Sequence, residues 1–197
     1  EIFPNRDEVI SVAVYGKYIQ NPISRVNVAS ASANDLTYVN AGDWGYAYGL
    51  EAEMRKNIFK TENGSKLYTI VNASVMNSKQ ELNFDKVRSE TGIATSFSKA
   101  EEQLTGASNF IGNLSLGWNS TFKNDQSLDI MMVYGYVGKN VFAYGTNEKG
   151  TQMMKAINLL DVNASFKFNK NTSLTVFGKN LINPNYTIDQ ENRGNTY

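Results

Sequence analysis

Two carboxylates on one strand are the residues of this sequence whose type and spacing could do chemistry. Glu51 and Glu53 lie two positions apart within "WGYAYGLEAEMRKN" (Trp44 to Asn57), so a β-strand would hold them about 7 Å apart on one face. A glycoside hydrolase could use a pair of carboxylates with such a spacing. Arg55 continues the same row, and a row of mixed charges is typical of a surface that faces water. We therefore interpret the three residues as a solvated charge ladder.

The other charged candidates are also predicted to be solvated. "NFDKVRSE" (Asn83 to Glu90) offers ligands for calcium or a substrate, but it lacks the central Gly and final Glu of an EF-hand and is predicted to be a loop. "SKAE" (Ser98 to Glu101) fits a capping box and predicts a short helical turn. Five more charged side chains are expected to lie on the same water-facing side of the strands as the charge ladder, which would be the lumen if the strands form a barrel: Asp129, Lys139, Asp161, Lys167 and Lys179.

Composition excludes most other kinds of chemistry. The 197 residues include no Cys and no His, which excludes disulfides, thiolate nucleophiles, the usual zinc sites and most hydrolase triads. Lys and Arg together number 19, and so do Asp and Glu, so the charge balance does not favour nucleic acid as a partner. No phosphate-binding loop, dinucleotide fingerprint or nucleophile elbow occurs. The sequence predicts a protein that is not an enzyme, with no catalytic, metal-binding or cofactor-binding residues and no cofactor.

The elements that would position these charges are β-strands with one apolar and one polar face. In the stretch that carries Glu51, the opposite series runs from Tyr46 through Leu50 to Met54. Alternation of this kind over about ten residues indicates a half-buried strand. It recurs in seven segments: Ile10–Ile19, Trp44–Asn57, Leu67–Met76, Phe110–Phe122, Ser127–Lys139, Leu159–Phe168 and Ser173–Leu181. A soluble β-sandwich and a membrane β-barrel both produce this pattern.

The connections between the strands favour the barrel because they alternate in length. Short turns at one end and long loops at the other are typical of outer-membrane barrels. The short connections are Lys123–Asp125 and Asn169–Thr172, with a moderate one around Phe59–Lys66, and the long ones are Gln20–Asp43, Asn77–Asn109 and roughly Tyr144–Ala156. Aromatic residues near the strand ends, such as Tyr46, Trp118 and Phe166, are typical of the girdles at membrane interfaces.

Four motifs resemble those of one known family. They are "EIFPNRDEVISVAVYGKYIQNPI", "NAGDWGYAYGLEAEMRKN", "LTGASNFIGNLSLGW" and "FGKNLINPNY". They are similar to the E-x-F-P-N lead, the Y-G-x-E-x-E strand, the L-x-G-x-S-P-Y signature and the K-N-L-x-N-x-x-Y segment of TonB-dependent outer-membrane receptors of the Bacteroidetes type. The four occur in the family's order and span nearly the whole chain. Asn109 replaces the usual Pro of the third motif.

The resemblance implies a fold and a position within a larger protein. The expected fold class is all-β: an antiparallel up-and-down transmembrane β-barrel segment of about seven strands, from a barrel of about 22. Family members also have a TonB box and a plug domain. Residues 1–197 are therefore expected to be a C-terminal portion of the barrel, without the plug domain, the earlier strands and the last strand.

The resemblance also implies a function in the bacterial outer membrane. The expected activity is TonB-energised uptake of a large or scarce nutrient, with substrate contacts in the three long connections and no individual ligand residue assigned. Expected partners are outer-membrane lipid, the plug domain and remaining strands of the same protein, the TonB complex, and a surface lipoprotein or larger outer-membrane complex, but not nucleic acid. Two alternatives are a non-transporting barrel that is a structural subunit of an assembly or secretion complex, and a soluble β-sandwich binding module.

Overall fold

A computed structural model describes residues 1–28, 35–93, 96–97, 99–145, 149–192 and 195–196. In chain order the elements are β1 (Val9–Gln20), β2 (Ile23–Asn27), β3 (Leu36–Asn40), β4 (Trp44–Lys60), β5 (Lys66–Glu81), α1 (Phe84–Thr91), β6 (Glu101–Glu102), β7 (Phe110–Thr121), β8 (Ser127–Val137), β9 (Asn140–Ala143), β10 (Lys149–Met154), β11 (Ile157–Asn169), β12 (Thr172–Gly178), β13 (Ile188–Asn192) and β14 (Asn195–Thr196).

The seven long strands form one antiparallel meander. Their order in the sheet is β1-β4-β5-β7-β8-β11-β12, which is also their order in the chain, and β6 adds a short pairing to the end of β5. These strands correspond to the seven alternating segments of the sequence. The described part of the sheet remains open, with β1 and β12 as its edges. The expected fold class, an all-β up-and-down barrel segment, is confirmed.

Tight turns join the strands at one end of the sheet, the turn end. Between β4 and β5, Thr61 N–H donates to Ser65 O at 2.8 Å, and Gly64 has a φ of 83°. A side chain rarely tolerates that conformation. Between β7 and β8, Phe122 N–H donates to Gln126 O at 2.9 Å. The long connections all emerge at the opposite end, the loop end, as the alternation in length predicts.

The strand registers give the main sheet one apolar and one polar face. Leu114 on β7 stands opposite Val71 on β5 and Tyr134 on β8, and the row continues to Leu160 on β11. Asn113, the preceding residue, stands opposite Asn72 and Gly135 and points to the other side. We call the two sides the apolar face and the polar face.

The described residues place no second layer over the apolar face. Its side chains are open to the surroundings: Val14 is 81% exposed, Val12 60% and Val75 57%. The two smaller sheets, β14-β13-β10-β9 and β2-β3, are not stacked on it. A β-sandwich would bury this face between two sheets, so the architecture does not support the sandwich alternative.

The buried core lies at the loop end rather than beneath the sheet. It consists of Val26, Val39, Ala41, Leu82, Val87, Val141 and Tyr144, with Ile93, Phe97 and Met153 packed against it. We call this packed part of the chain the loop-end unit; it consists of the described residues within 21–43, 82–109 and 138–156, together with β13.

One helix lies where the sequence predicted a loop. Helix α1 covers Phe84–Thr91; its N-cap Asn83 accepts a hydrogen bond from Lys86 N, and its C-cap Gly92 is left-handed with a φ of 71°. Val87 anchors the helix in the core. The helical turn predicted for Ser98–Glu101 is wrong where it can be compared, since Glu101 belongs to β6; Ser98 lies outside the described residues.

Candidate functional site

The predicted charge ladder lies on the polar face, in the middle of the sheet. Glu51 stands opposite Ala13 and Ser74, and Glu53 stands opposite Ser11 and Asn72. These residues line an open depression of about 240 Å³. Its lining holds no further acid or base, so the arrangement lacks the groups that would tune two carboxylates for catalysis.

A larger polar cavity lies on the same face at the turn end. It measures about 650 Å³, and its charged lining includes Arg6, Asp7, Arg55, Lys66 and Asp129. Lys66 Nζ lies 4.0 Å from Asp7 Oδ2, and Asp129 accepts a hydrogen bond from the side-chain amide of Asn119. Charges of both signs line the cavity, which suits a polar protein surface or water better than a strongly charged ligand.

Glu8 is the one buried carboxylate of this cavity, and the sequence did not single it out. The residue is 7% exposed and accepts hydrogen bonds from Asn5 Nδ2 at 2.8 Å and from Asn57 N–H at 3.0 Å. The hydrogen bond from Asn5, and next that from Asn57, lower the pKa of the Glu8 carboxyl below its usual value. Asn57 lies where the register between β4 and β5 shifts, so Glu8 satisfies an amide next to a bulge.

The other predicted lumen charges divide into two groups. Asp129, Asp161 and Lys167 are on polar-face positions, confirmed by their registers opposite Ser165, Val133 and Ser127. Lys139 lies outside the main sheet, in the link between β8 and β9, because β8 ends at Val137.

Asp161 also holds the chain just beyond the end of β12. Its Oδ1 accepts a hydrogen bond from Asn180 N–H at 2.7 Å, just beyond the last paired residue, Gly178. Lys179 follows the strand, with its Nζ 5.9 Å from the centre of the Phe177 ring. The chain then leaves the sheet and returns as β13 beside β10 in the loop-end unit.

The three long connections, predicted as separate external loops, meet in the loop-end unit. The first contributes the β2-β3 hairpin with Val26, the second contributes α1 with Val87, and the third contributes Tyr144. A parallel bridge joins Val26 to Tyr144, with Asn27 N–H donating to Tyr144 O at 2.9 Å. The segments predicted to contact substrate are thus brought together in one packed body.

Buried polar bonds fix the hairpin to the sheet. Gln80 of β5 is fully buried; its Nε2 donates to Ser24 Oγ at 2.7 Å, and Ser24 Oγ lies 3.1 Å from Gln80 Oε1. The Tyr144 hydroxyl donates to Gln103 O at 2.7 Å. Burial raises the pKa of Tyr144 well above its usual value, so the phenol stays protonated. These bonds hold the connections of the loop-end unit in fixed positions relative to the sheet.

The outer surface of the hairpin presents an arginine between aromatic rings. Arg25 Cζ lies 4.2 Å from the centre of the Phe142 ring and 5.3 Å from that of Tyr38. The Arg25 side chain donates to the Tyr38 hydroxyl from Nε at 3.1 Å and from Nη2 at 2.8 Å. Stacking and paired donors hold the guanidinium in one orientation.

Aromatic rings form two bands on the apolar face. At the loop end, the rings of Trp44, Tyr46 and Tyr48 stack along β4 with centroids 5.9 and 6.1 Å apart. At the turn end, the rings of Phe166 and Phe168 lie 4.8 Å apart, and Phe122 lies 6.4 Å from Phe166. The predicted aromatic positions near strand ends are confirmed.

Comparison with known proteins matches the chain to a protein family. A family model described as "TonB dependent receptor-like, beta-barrel" matches residues 2–181. No curated protein matches the chain, and no solved structure matches it. Among the described residues, no helix has the length and apolar character needed to cross a membrane.

Proposed function

Since this chain belongs to the family of TonB-dependent receptor-like β-barrels, we propose that it is part of the wall and outer surface of a receptor that imports a nutrient. Members of the family are outer-membrane receptors and transporters, generally not enzymes, and they work with TonB and a plug domain. The finer proposal is that residues 1–197 are a C-terminal portion of a Bacteroidetes-type barrel. Its substrate is a nutrient too large or too scarce for a porin.

The exposed apolar face, bounded by two aromatic bands, is the observation that carries this proposal. On β7 the loop-end band continues with Phe110, whose ring centroid lies 5.8 Å from that of Tyr136, and Phe122 belongs to the turn-end band. The strand between Phe110 and Phe122 is about 40 Å long at about 3.3 Å per residue. A strand tilt of about 40° reduces this to a height of about 30 Å. The hydrocarbon core of a bilayer is also about 30 Å thick.

The polar face and the loop-end unit take separate roles in the proposal. The polar face, with Glu51, Glu53 and Arg55, faces a water-filled interior that also holds the plug domain. The mixed charges of the larger cavity fit the polar surface of a plug. The loop-end unit projects outside the cell, where its packed connections make the substrate contacts.

Localisation combined with uptake in the full-length protein tests the proposal. We expect a heat-modifiable species that fractionates with the outer membrane and requires detergent for extraction. Removing TonB should abolish energised uptake while leaving the barrel in the membrane. A correctly inserted barrel whose loss does not change uptake of any nutrient would refute transport and favour the structural-subunit alternative. A monomer that is soluble in plain buffer would refute the membrane assignment itself.

A further inference from the structure

The β2-β3 hairpin contains an arginine whose position is fixed before any ligand arrives. The Arg25 guanidinium stacks on Phe142 at 4.2 Å, and two of its nitrogens donate to one oxygen, Tyr38 Oη. An exposed arginine normally samples many rotamers, and ordering it opposes binding. Here the stack and the Tyr38 hydroxyl have already ordered the side chain.

This arrangement leaves specific donors open toward solvent. Tyr38 Oη accepts both bonds from Arg25, so its own hydrogen is directed elsewhere and can donate to a ligand. Nη1 has no hydrogen-bond acceptor, and Arg25 has no ion-pair partner, among the residues that the structure describes. Lys79, Lys86 and Lys99 of the same region, by contrast, pair with carboxylates.

We propose that Arg25, Tyr38 and Phe142 form a binding site for the carboxylate group of a ligand with an apolar body. The Nη1 and Nη2 hydrogens that Tyr38 leaves open match the two oxygens of a carboxylate, while the Tyr38 hydroxyl holds the guanidinium from its Nε side. One cation balances one negative charge, which favours a carboxylate over a phosphate dianion.

The same outer face of the hairpin supplies the apolar contact. Ile23 lies two positions from Arg25, and Leu36 lies two positions from Tyr38, so the registers place all four side chains on one side. Ile23 is 71% exposed and Tyr38 63%. A ligand whose carboxylate meets Arg25 would cover these side chains with its apolar part. This site would be part of the substrate-binding surface, and that assignment rests on the proposed function.

Titration of the full-length receptor in detergent with benzoate tests the site, with neutral benzamide and phenyl phosphate as comparison probes. We expect saturable binding of benzoate, and at least about tenfold weaker binding by Arg25→Met, because a bond to a charged group is lost. Tyr38→Phe keeps the ring and loses the oxygen that orients the guanidinium, so it should weaken binding about threefold to tenfold. Arg88→Met removes an exposed arginine of the same unit and should have no effect.

Each outcome bears on the site separately from transport. Equal benzoate binding by the Arg25→Met and Arg88→Met variants, or no benzoate binding by the unmodified receptor, would overturn the site. Tighter binding of benzamide or phenyl phosphate than of benzoate would also overturn it. If Arg25→Met fails to fold, as judged by heat-modifiability, the Tyr38→Phe variant decides. Binding in detergent requires no TonB, so a failure of energised uptake would refute the proposed function and leave the site standing.

Discussion

The stability cost of a charge placed on the apolar face should show whether that face meets lipid or water. Leu114 lies near the middle of β7, is 41% exposed, and belongs to a row with Val71, Tyr134 and Leu160. In a bilayer, Leu114→Arg would put a cation close to the midplane, at a cost of about 2–4 kcal/mol. In water, the same change at a half-exposed surface position would cost about 0.5 kcal/mol or less.

Asn113→Arg is the matched control because it puts the same side chain one residue away on the polar face. Asn113 stands between Asn72 and Gly135, on the side assigned to the water-filled interior. We expect that variant to change the free energy of unfolding by about 0.5 kcal/mol or less. The two variants should therefore differ by about 1.5–3.5 kcal/mol, which is roughly a tenfold to several-hundredfold difference in the folding equilibrium.

Reversible urea unfolding of the full-length protein in liposomes measures both values, with heat-modifiability as the readout of folded barrel. The midpoint should fall for Leu114→Arg and stay near that of the unmodified protein for Asn113→Arg. Equal midpoints for the two variants would show that both faces meet the same solvent. The assignment of the apolar face to lipid would then be refuted.

Three further predictions concern the buried groups of the two ends and one tight contact within the sheet. Because the pKa of Glu8 is lowered in the folded protein, its stabilising effect is present above the usual value of 4.5 and disappears as pH falls through the folded pKa. Hydrogen exchange of the Asn57 amide should therefore show an acid-dependent step, and Glu8→Gln should remove it. A step that is unchanged in the variant would contradict this role of Glu8. Gly49→Ala would bring a Cβ against the backbone oxygen of Val75, which cannot turn aside as a side chain can, and should destabilise the barrel by about 1–3 kcal/mol in urea, whereas Gly16→Ala, with nothing within 4 Å, should not. Gln80→Leu removes the hydrogen-bond partner of the buried Ser24 hydroxyl and should speed hydrogen exchange across β2 and β3, at a cost of about 1–3 kcal/mol; exchange rates equal to those of the unmodified protein would show that the Gln80–Ser24 bonds do not hold the hairpin to the sheet.

The sheet was predictable from the sequence because strand alternation is a local property. Each of the seven segments shows its two faces within about ten residues, and the connection lengths alone predict which ends lie together. The position of Glu51 and Glu53 on the polar face follows from parity. Lys139 departs from the expectation because side chains alternate between the two faces only within a strand, and β8 ends two residues before Lys139.

The loop-end unit was not predictable because its core joins residues that are far apart in the chain. Val26 meets Tyr144 across more than a hundred residues, and no local pattern reports such a contact. Helix α1 did leave a signal: Asn83 is a favourable N-cap and Gly92 a favourable C-cap, eight helical residues apart.

The shared core of the loop-end unit also has a consequence for how such a protein can diversify. Surface loops usually accept insertions and exchanges independently of one another, because each contacts little besides solvent. Here Val26, Val87 and Tyr144 come from three different connections and pack into one cluster. Exchanging a single connection for that of a relative would leave the other two with a mismatched interior. The three connections are thus expected to be inherited, and grafted in engineering, as one set.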